Sequence, residues 1–179
     1  MKKRDYLIIM AIFATVSLTG LWVARNSTRV QIIYPKESPI LLEKDFTVHI
    51  NDGHISIGKT SMKEVMSLLP GGKTLGMSTV YKTSSPECIF TFNGDRTILK
   101  KIHIPNNQVC TNRGIKVGDP LQKVTEAYGP NYIYSGKGRQ LKDFEAIYSA
   151  DKKRSIILQI RDSKVNQIVL VEEMWPEKN

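Results

Sequence analysis

Apolar residues recur along positions 55–175 with two spacings that alternate along the chain. Two stretches of about nine or ten residues carry apolar side chains three or four positions apart, which predicts two short amphipathic helices. Each stretch is followed by three runs rich in β-branched and aromatic residues, which predict strands of an antiparallel sheet. The runs are STVYKT, ECIFTFN and RTILKKIHI after the first helix, and FEAIYS, RSIILQIR and KVNQIVLVEE after the second.

The first predicted helix has one apolar stripe and recognisable ends. The stripe consists of Met62, Val65, Met66 and Leu69. Thr60 or Ser61 can cap the helix, and Glu64, three residues beyond Ser61, completes the pattern of a capping box. Gly71 fits the left-handed conformation that commonly follows the end of a helix.

The second predicted helix repeats this pattern with different capping residues. Its stripe consists of Leu121, Val124 and Tyr128. Asp119 is predicted to be the cap, and Pro120 suits the first helical position because its missing N–H costs nothing there. Gly129 fits the residue that ends the helix, and a proline follows it at once.

The sequence does not decide the strand register of the first predicted hairpin. The Asn-Gly pair at 93–94 is a strong turn signal. A two-residue loop would place Phe90 and Phe92 on the face of Leu99, whereas a three-residue loop would place them on the face of Ile102, because a slip of one residue reverses every side chain. We favour the three-residue loop because it gathers more apolar side chains on one face.

The two helix-and-strand stretches correspond to each other as tandem copies. Gly58 aligns with Gly118 at an offset of sixty residues, and Val65 aligns with Val124 at an offset of fifty-nine. A unit of about sixty residues buries little surface by itself, so we expect the two units to share an edge or an interface. The predicted fold class is therefore α+β, with two tandem helix-plus-antiparallel-sheet repeats.

The repeated arrangement, I-x-(I/V)-G followed by a short helix that contains a valine and ends before a glycine, resembles that of the secreted beta-lactamase inhibitor proteins and of the small lipoprotein of the outer-membrane assembly machine. The residues that carry the resemblance are Gly58, Thr60, Val65 and Gly71, then Gly118, Val124, Tyr128 and Gly129. The resemblance covers about residues 55–173. It implies a helix-plus-sheet fold that binds other proteins through the sheet face or the loops, without catalysis.

The first 24 residues read as a membrane segment. The basic start, MKKR, precedes an uncharged run from Tyr6 to Ala24, whose nineteen residues would span about 28 Å as a helix, close to the hydrocarbon thickness of a bilayer. We favour an uncleaved anchor. The alternative is a signal peptide cleaved after Ala24, although bulky Trp22 lies at a position where cleavage prefers a small residue. Both alternatives export the rest of the chain, which is then membrane-anchored outside the cytoplasm, or secreted if the segment is cleaved.

These observations predict four segments. Residues 1–24 are the membrane anchor or signal segment, and residues 25–54 are a β-rich lead-in interrupted by two prolines. Residues 55–110 and 111–175 are the first and second α+β repeats.

Export gives the two cysteines a structural meaning. Cys88 and Cys110 form an even pair, which predicts a disulfide in an oxidising compartment. The bridge would close a loop of just over twenty residues and contribute roughly 3 kcal/mol. Two free thiols are the alternative.

The chain is basic, with a formal net charge of +9, of which the first 24 residues contribute +2 and the remainder +7. Such an excess raises affinity for anionic surfaces in general and does not choose among lipid, acidic polymers and nucleic acid. Six exposed basic, histidine or amphipathic aromatic positions are candidate interaction residues. They are Tyr132, Tyr134, Lys137, Arg139, Lys101 and His103.

No pattern predicts a catalytic, cofactor-binding or metal site. The three histidines lack the spacing of a helical zinc motif, and the cysteines are too far apart for a CxxC site. The GGKT sequence at 71–74 falls at a helix end, not at a helix start as a phosphate loop requires.

The sequence thus predicts a non-catalytic, exported and membrane-anchored interaction module. Its expected partners are the membrane and a protein or cell-envelope component, with no nucleic acid and no cofactor. An electrostatic or structural element that binds acidic polymers or anionic lipid is the alternative. An inhibitor of an extracytoplasmic enzyme, or an enzyme with a cryptic site, are weaker hypotheses.

Overall fold

The computed structural model describes residues 30–37, 39–51, 53–76, 79–137, 142–150 and 153–172. These residues form twelve β-strands, two α-helices and one short 3-10 helix. Nine strands form one sheet, called the large sheet below, and three form the small sheet.

The elements follow one another along the chain with short connections. The strands are β1 (Val30–Ile33), β2 (Thr47–Ile50), β3 (Gly53–Ser56), β4 (Lys73–Leu75), β5 (Val80–Ser84), β6 (Glu87–Phe92), β7 (Leu99–Ile104), β8 (Cys110–Thr111), β9 (Ile133–Lys137), β10 (Asp143–Ala150), β11 (Arg154–Arg161) and β12 (Lys164–Glu172). The 3-10 helix is Glu43–Phe46, and the α-helices are α1 (Met62–Leu68) and α2 (Leu121–Tyr128). The strand order is β1-β9-β10-β11-β12-β7-β6-β5-β4 in the large sheet and β3-β2-β8 in the small sheet.

The large sheet is continuous because β12 pairs antiparallel with β7, from Ile168 opposite Ile104 to Val171 opposite Lys101. The predicted fold class, α+β with two tandem helix-plus-antiparallel-sheet repeats, is therefore wrong: the fold is mostly antiparallel strand, dominated by one nine-stranded sheet, with two short helices. Two separate sheets would each have exposed a long edge strand, β7 or β12, with unpaired backbone N–H and C=O groups. Pairing the two edges satisfies those groups.

The six predicted strand runs are confirmed as β5, β6, β7, β10, β11 and β12. In the large sheet the expected three strands after each helix are nevertheless four, because β4 and β9 were missed. All three residues of β4 are exposed, so it lacks the apolar alternation that marks a strand. Gly136 in β9 lowers the strand signal there, and a Cβ at this position would overlap the ring of Tyr134.

The main core lies between the inner face of the large sheet and a layer made of both helices and the small sheet. Val65 of α1 and Val124 of α2 are fully buried in it. Met66 was expected in the apolar stripe of the first helix, but its side chain is 43% exposed. This seven-residue helix contacts the core through Met62 and Val65, and Leu69 follows at its end, so Met66 lies beside the contact.

A β-bulge resolves the register of the hairpin between β6 and β7. Phe90 lies opposite Ile102 and Phe92 opposite Leu99, with the register shift between Thr91 and Phe92. All four apolar side chains are therefore buried, and neither of the two uniform registers considered from the sequence is right.

The predicted cap of α1 is confirmed and that of α2 is wrong. The hydroxyl of Ser61 accepts a hydrogen bond from the N–H of Glu64 at 3.3 Å, and the carboxylate of Glu64 accepts one from the N–H of Ser61 at 2.6 Å. The cap of α2 is Pro120, which makes no side-chain cap bond. The Asp119 carboxylate instead accepts from the N–H of Lys116 at 2.9 Å and from Nζ of Lys123 at 2.8 Å.

The predicted membrane segment 1–24 lies outside the described residues. Within the described ranges, the search for a helix long and apolar enough to cross a bilayer finds none.

Candidate interaction surface

One row of side chains crosses almost the whole outer face of the large sheet, on the side away from the main core. The pairing registers place its members side by side on successive strands from β9 to β4. This outer row consists of Ile133, Ile147, Ile157, Val169, His103, Ile89, Lys82 and Lys73. It is aliphatic over the strands after α2 and becomes basic towards β4.

Exposure of the outer row changes along its length. Ile133 is 8% exposed and Ile147 is fully buried, although neither belongs to the main core cluster. Ile157, Val169 and Ile89 are half-buried. The accessible part of the row therefore extends from β11 to β6, with His103 in the middle.

His103 and Lys101 both lie on this outer face, next to each other on β7. The Nε2 atom of His103 lies 2.8 Å from Oε1 of Gln167, so the imidazole is held against β12. Lys101 is exposed and lies between Val171 and Thr91 in the register. These two predicted residues therefore border the accessible apolar part.

The basic end of the outer row contains one ion pair. The Nζ atom of Lys82 lies 2.9 Å from Oε1 of Glu87 on the neighbouring strand, and both side chains are 42% exposed. Lys73 lies opposite Lys82 and is exposed. An exposed ion pair of this kind contributes little to the stability of the fold. The charges of Lys82, Glu87 and Lys73 therefore act mainly on the electrostatic potential of this surface.

The two tyrosines that were predicted as interaction residues do not lie on the outer face of the large sheet. Tyr134 is 8% exposed and stacks on Phe144 on the inner face, with ring centroids 5.0 Å apart. Tyr132 packs against Phe144 at 6.0 Å and Tyr148 at 5.8 Å, and burial raises the pKa of its hydroxyl. Both rings pack against the inner side of the sheet, so they do not share a surface with Lys101 and His103.

Lys137 lies at the exposed end of β9, and Arg139 lies outside the described residues. A cleft of about 550 Å³ beside Lys137 is lined by Lys142, Asp143 and Arg161, among others. The Nε atom of Arg161 lies 3.8 Å from Oδ1 of Asp143. Cations and carboxylates alternate in this cleft, so it has no single sign of charge with which to select a ligand.

The predicted disulfide is not formed. Cys88 and Cys110 are free thiols, because Cys88 is buried in β6 of the large sheet and Cys110 lies in β8 of the small sheet. Burial, with a smaller contribution from the charge of Glu87, raises the pKa of the Cys88 thiol to about 12.

The histidines outside the outer row form a neighbouring pair. His49 and His54 lie opposite each other on β2 and β3, with their rings in a T-shaped contact at 4.4 Å. Nε2 of His49 also lies 3.3 Å from Oδ1 of Asn112. Across the described ranges, no group of three or more His, Cys, Asp and Glu side chains is arranged to hold a metal ion.

Sequence reasoning missed an ion pair whose carboxylate is fully buried. The Arg113 guanidinium donates to both carboxylate oxygens of Asp45, at 2.8 and 2.6 Å, and the Asp45 side chain is fully buried. Burial raises the pKa of Asp45, but hydrogen bonds from Arg113 and from the N–H of Leu42 outweigh it, so the pKa is lowered overall. No local pattern could have found the pair, since 68 residues separate its members.

Comparison with family models and with curated proteins finds no match. Among solved structures, the fold is similar to that of a DUF4309 family protein (YjgB) from Bacillus subtilis subsp. subtilis str. 168. The two share 14% sequence identity over 66% of this chain and 82% of that chain, with a TM-score of 0.47. At that TM-score the similarity supports no conclusion about this protein.

Proposed function

We propose that this protein is a non-catalytic, exported and membrane-anchored interaction module. Its binding surface is the accessible part of the outer row, and its partner is a protein of the cell envelope that presents an aliphatic patch with acidic groups beside it. The observation that carries the proposal is the half-buried aliphatic row bordered by Lys101 and His103 on the outer face of the large sheet.

This arrangement has the composition of a protein-binding patch. Ile157, Val169 and Ile89 supply an apolar centre, which the buried Val171 extends, and most of the other outer-face positions around it are polar or charged, among them Ser155, Gln159, Gln167, Thr91, Lys101 and Glu87. Interfaces combine an apolar centre with a polar rim in this way. Lys101 and Lys73 favour a partner with acidic groups, because opposite charges steer association and select the register.

Export and anchoring rest on the first 24 residues. The basic start keeps the amino end in the cytoplasm, and the uncharged run of nineteen residues matches a bilayer crossing. The folded part then lies outside the cytoplasm.

Photo-crosslinking of the full-length chain in intact cells tests this proposal. A photoreactive residue replaces Val169 in one variant and Met66, an exposed apolar residue of α1, in the control variant. We expect a discrete protein adduct from position 169 and none from position 66. Ile89→Ser should weaken the adduct about tenfold, the change expected for the loss of about 1.4 kcal/mol at a binding hot spot. Equal adducts from both positions, or none from position 169, would contradict the proposal.

The electrostatic alternative predicts a different response to salt. The charge of +7 beyond the first 24 residues favours binding to acidic polymers or anionic lipid. Such binding weakens as salt shortens the screening length from about 8–10 Å to about 3 Å at 1 M. An adduct at position 169 that persists in 1 M salt supports the protein-binding module, and one that disappears supports the alternative.

A further inference from the structure

Exposed apolar side chains are concentrated at the amino-terminal end of the described chain. Of the eight large hydrophobic side chains that are exposed in the described residues, five lie between positions 30 and 42. They are Val30 (58% exposed), Ile32 (43%), Ile33 (55%), Ile40 (80%) and Leu42 (50%). Such a concentration is unusual on a surface that meets only water.

Three of these residues form most of β1, the edge strand of the large sheet. β1 pairs with β9 along one side and is the last of the described strands at this end of the sheet. All four of its residues are exposed, so the strand is apolar on both faces. An apolar edge strand is a template for pairing or aggregation unless something covers it.

The chain that precedes β1 indicates what covers it. Only residues 25–29 separate the predicted membrane segment from Val30. The six residue steps from Ala24 to Val30 span at most about 22 Å when fully extended, so the start of β1 cannot lie farther than that from the end of the predicted membrane segment. Arg25 and Arg29 in this connection, and Lys36 just after β1, add positive charge, which anionic lipid head groups attract.

We propose that β1, together with Ile40 and Leu42, docks on the surface of the lipid bilayer. This inference rests on the proposed membrane anchoring and adds the orientation of the folded part. The edge of the large sheet at β1 faces the membrane, and the opposite edge at β4 points away from it. Since β4 is eight strand spacings from β1, it lies up to about 38 Å farther out.

The backbone of β1 limits how deep this contact goes. The side of the strand that faces away from β9 carries N–H and C=O groups that need hydrogen-bond partners. Hydrocarbon offers none, and open sheet edges do not occur inside it. The strand therefore lies at the depth of the head groups, where water and phosphate oxygens supply partners, and only the apolar side chains reach towards the acyl chains.

Depth-resolved fluorescence quenching of the full-length chain in liposomes of anionic and zwitterionic lipid tests the docking. A fluorophore is attached at Ile32→Cys or, as the matched control, at Leu75→Cys in β4, which is 42% exposed at the opposite edge. The background is Cys110→Ser, and Cys88 is fully buried and does not label. We expect a nitroxide on the head group to quench the label at position 32 at least several-fold more than the label at position 75. A nitroxide deep in the acyl chain should quench neither.

Flotation of the same liposomes separates the two proposals. A chain that floats while its label at position 32 is quenched no more than that at position 75 overturns the docking and leaves the anchor intact. A chain that does not float overturns both. Self-quenching between labels at position 32 without nitroxide quenching shows that β1 pairs with β1 of a second copy, and this also overturns membrane docking.

Discussion

Helices α1 and α2 pack on the same face of the large sheet, but their ends are held in different ways. At the start of α1, Ser61 and Glu64 satisfy each other's backbone N–H groups, and hydrogen bonds from the backbone and hydroxyl of Ser61 lower the pKa of the Glu64 carboxyl. At the start of α2 the capping residue makes no side-chain hydrogen bond to the backbone N–H groups of the first turn. α1 is thus bounded by residues within its own first turn, and α2 is not.

The carboxyl ends of the two helices are held by the same kind of hydrogen bond. The hydroxyl of Tyr81, in β5, donates to the carbonyl of Leu69 at 2.7 Å and accepts from the N–H of Gly72 at 2.9 Å. The hydroxyl of Tyr148, in β10, donates to the carbonyl of Gly129 at 2.8 Å. A tyrosine from the sheet therefore holds the chain just after each helix and satisfies a carbonyl that has no partner within the helix.

α2 has an additional clamp that α1 lacks. Arg113 donates to the carbonyl of Ala127 at 2.8 Å and to that of Ile40 at 2.9 Å, while it also binds the carboxylate of Asp45. Its guanidinium lies 4.8 Å from the ring centroid of Tyr128. One side chain thereby ties α2 to the segment before β2. A helix without a local side-chain cap at its start can therefore be stabilised by a contact with a residue outside the helix.

Removal of this clamp should have the largest effect on stability. Arg113→Met leaves the buried Asp45 carboxylate without its cationic partner, with the hydrogen bond from the N–H of Leu42 remaining, and we expect the unfolding free energy to fall by about 3–5 kcal/mol. Urea unfolding followed by circular dichroism measures it. Lys123→Met, which breaks the partly exposed pair with Asp119, is the control and should cost less than about 1 kcal/mol.

The double variant Asp45→Leu/Arg113→Met sharpens this prediction. It removes both charges, so it should recover part of the loss, but not the hydrogen bonds to Ala127 and Ile40. A double variant no more stable than Arg113→Met alone would show that the buried charge is not the reason for the loss.

The two tyrosine contacts should differ in strength. Tyr81→Phe removes two hydrogen bonds at a buried site, and we expect a cost of about 1–3 kcal/mol. Tyr148→Phe removes one at a partly buried site and should cost about 1 kcal/mol. Thermal unfolding compares both with Tyr132→Phe, a control whose hydroxyl makes no hydrogen bond within the described residues. Equal losses for all three would mean that the hydroxyl contacts do not stabilise the helix ends.

The smallest effect is expected at the start of α1. Ser61→Ala removes the local cap and should lower the unfolding free energy by about 1 kcal/mol. Ser67→Ala in the same helix is the control and should be neutral or slightly stabilising, because alanine is the better helix former. Hydrogen exchange of the first-turn amides of α1 should accelerate in Ser61→Ala and stay unchanged in Ser67→Ala. Acceleration in both would refute a specific capping role.

Much of the local structure was predictable because the interactions that define it lie within a few residues of each other. Ser61 and Glu64 are three residues apart, and the alternation in ECIFTF is read directly from the run that forms β6. Lys101 and His103 were expected on the outside of the sheet, and the structure places both on its outer face. Tyr132 and Tyr134 were predicted as interaction residues, but three consecutive large side chains, from Tyr132 to Tyr134, do not indicate which of them faces inwards.

The pattern of neighbouring residues was sufficient to predict where α1 begins, six of the strands of the large sheet, and the burial of Val65 and Val124, because side chains within a few positions of each other decide these features. Three features became visible only in the folded chain: the pairing of β12 with β7 into one sheet, the binding of Asp45 by Arg113, and the alignment of the outer row across eight strands. These contacts join residues far apart in the chain. Their free energy depends on burial and backbone pairing, which exist only after the strands have come together.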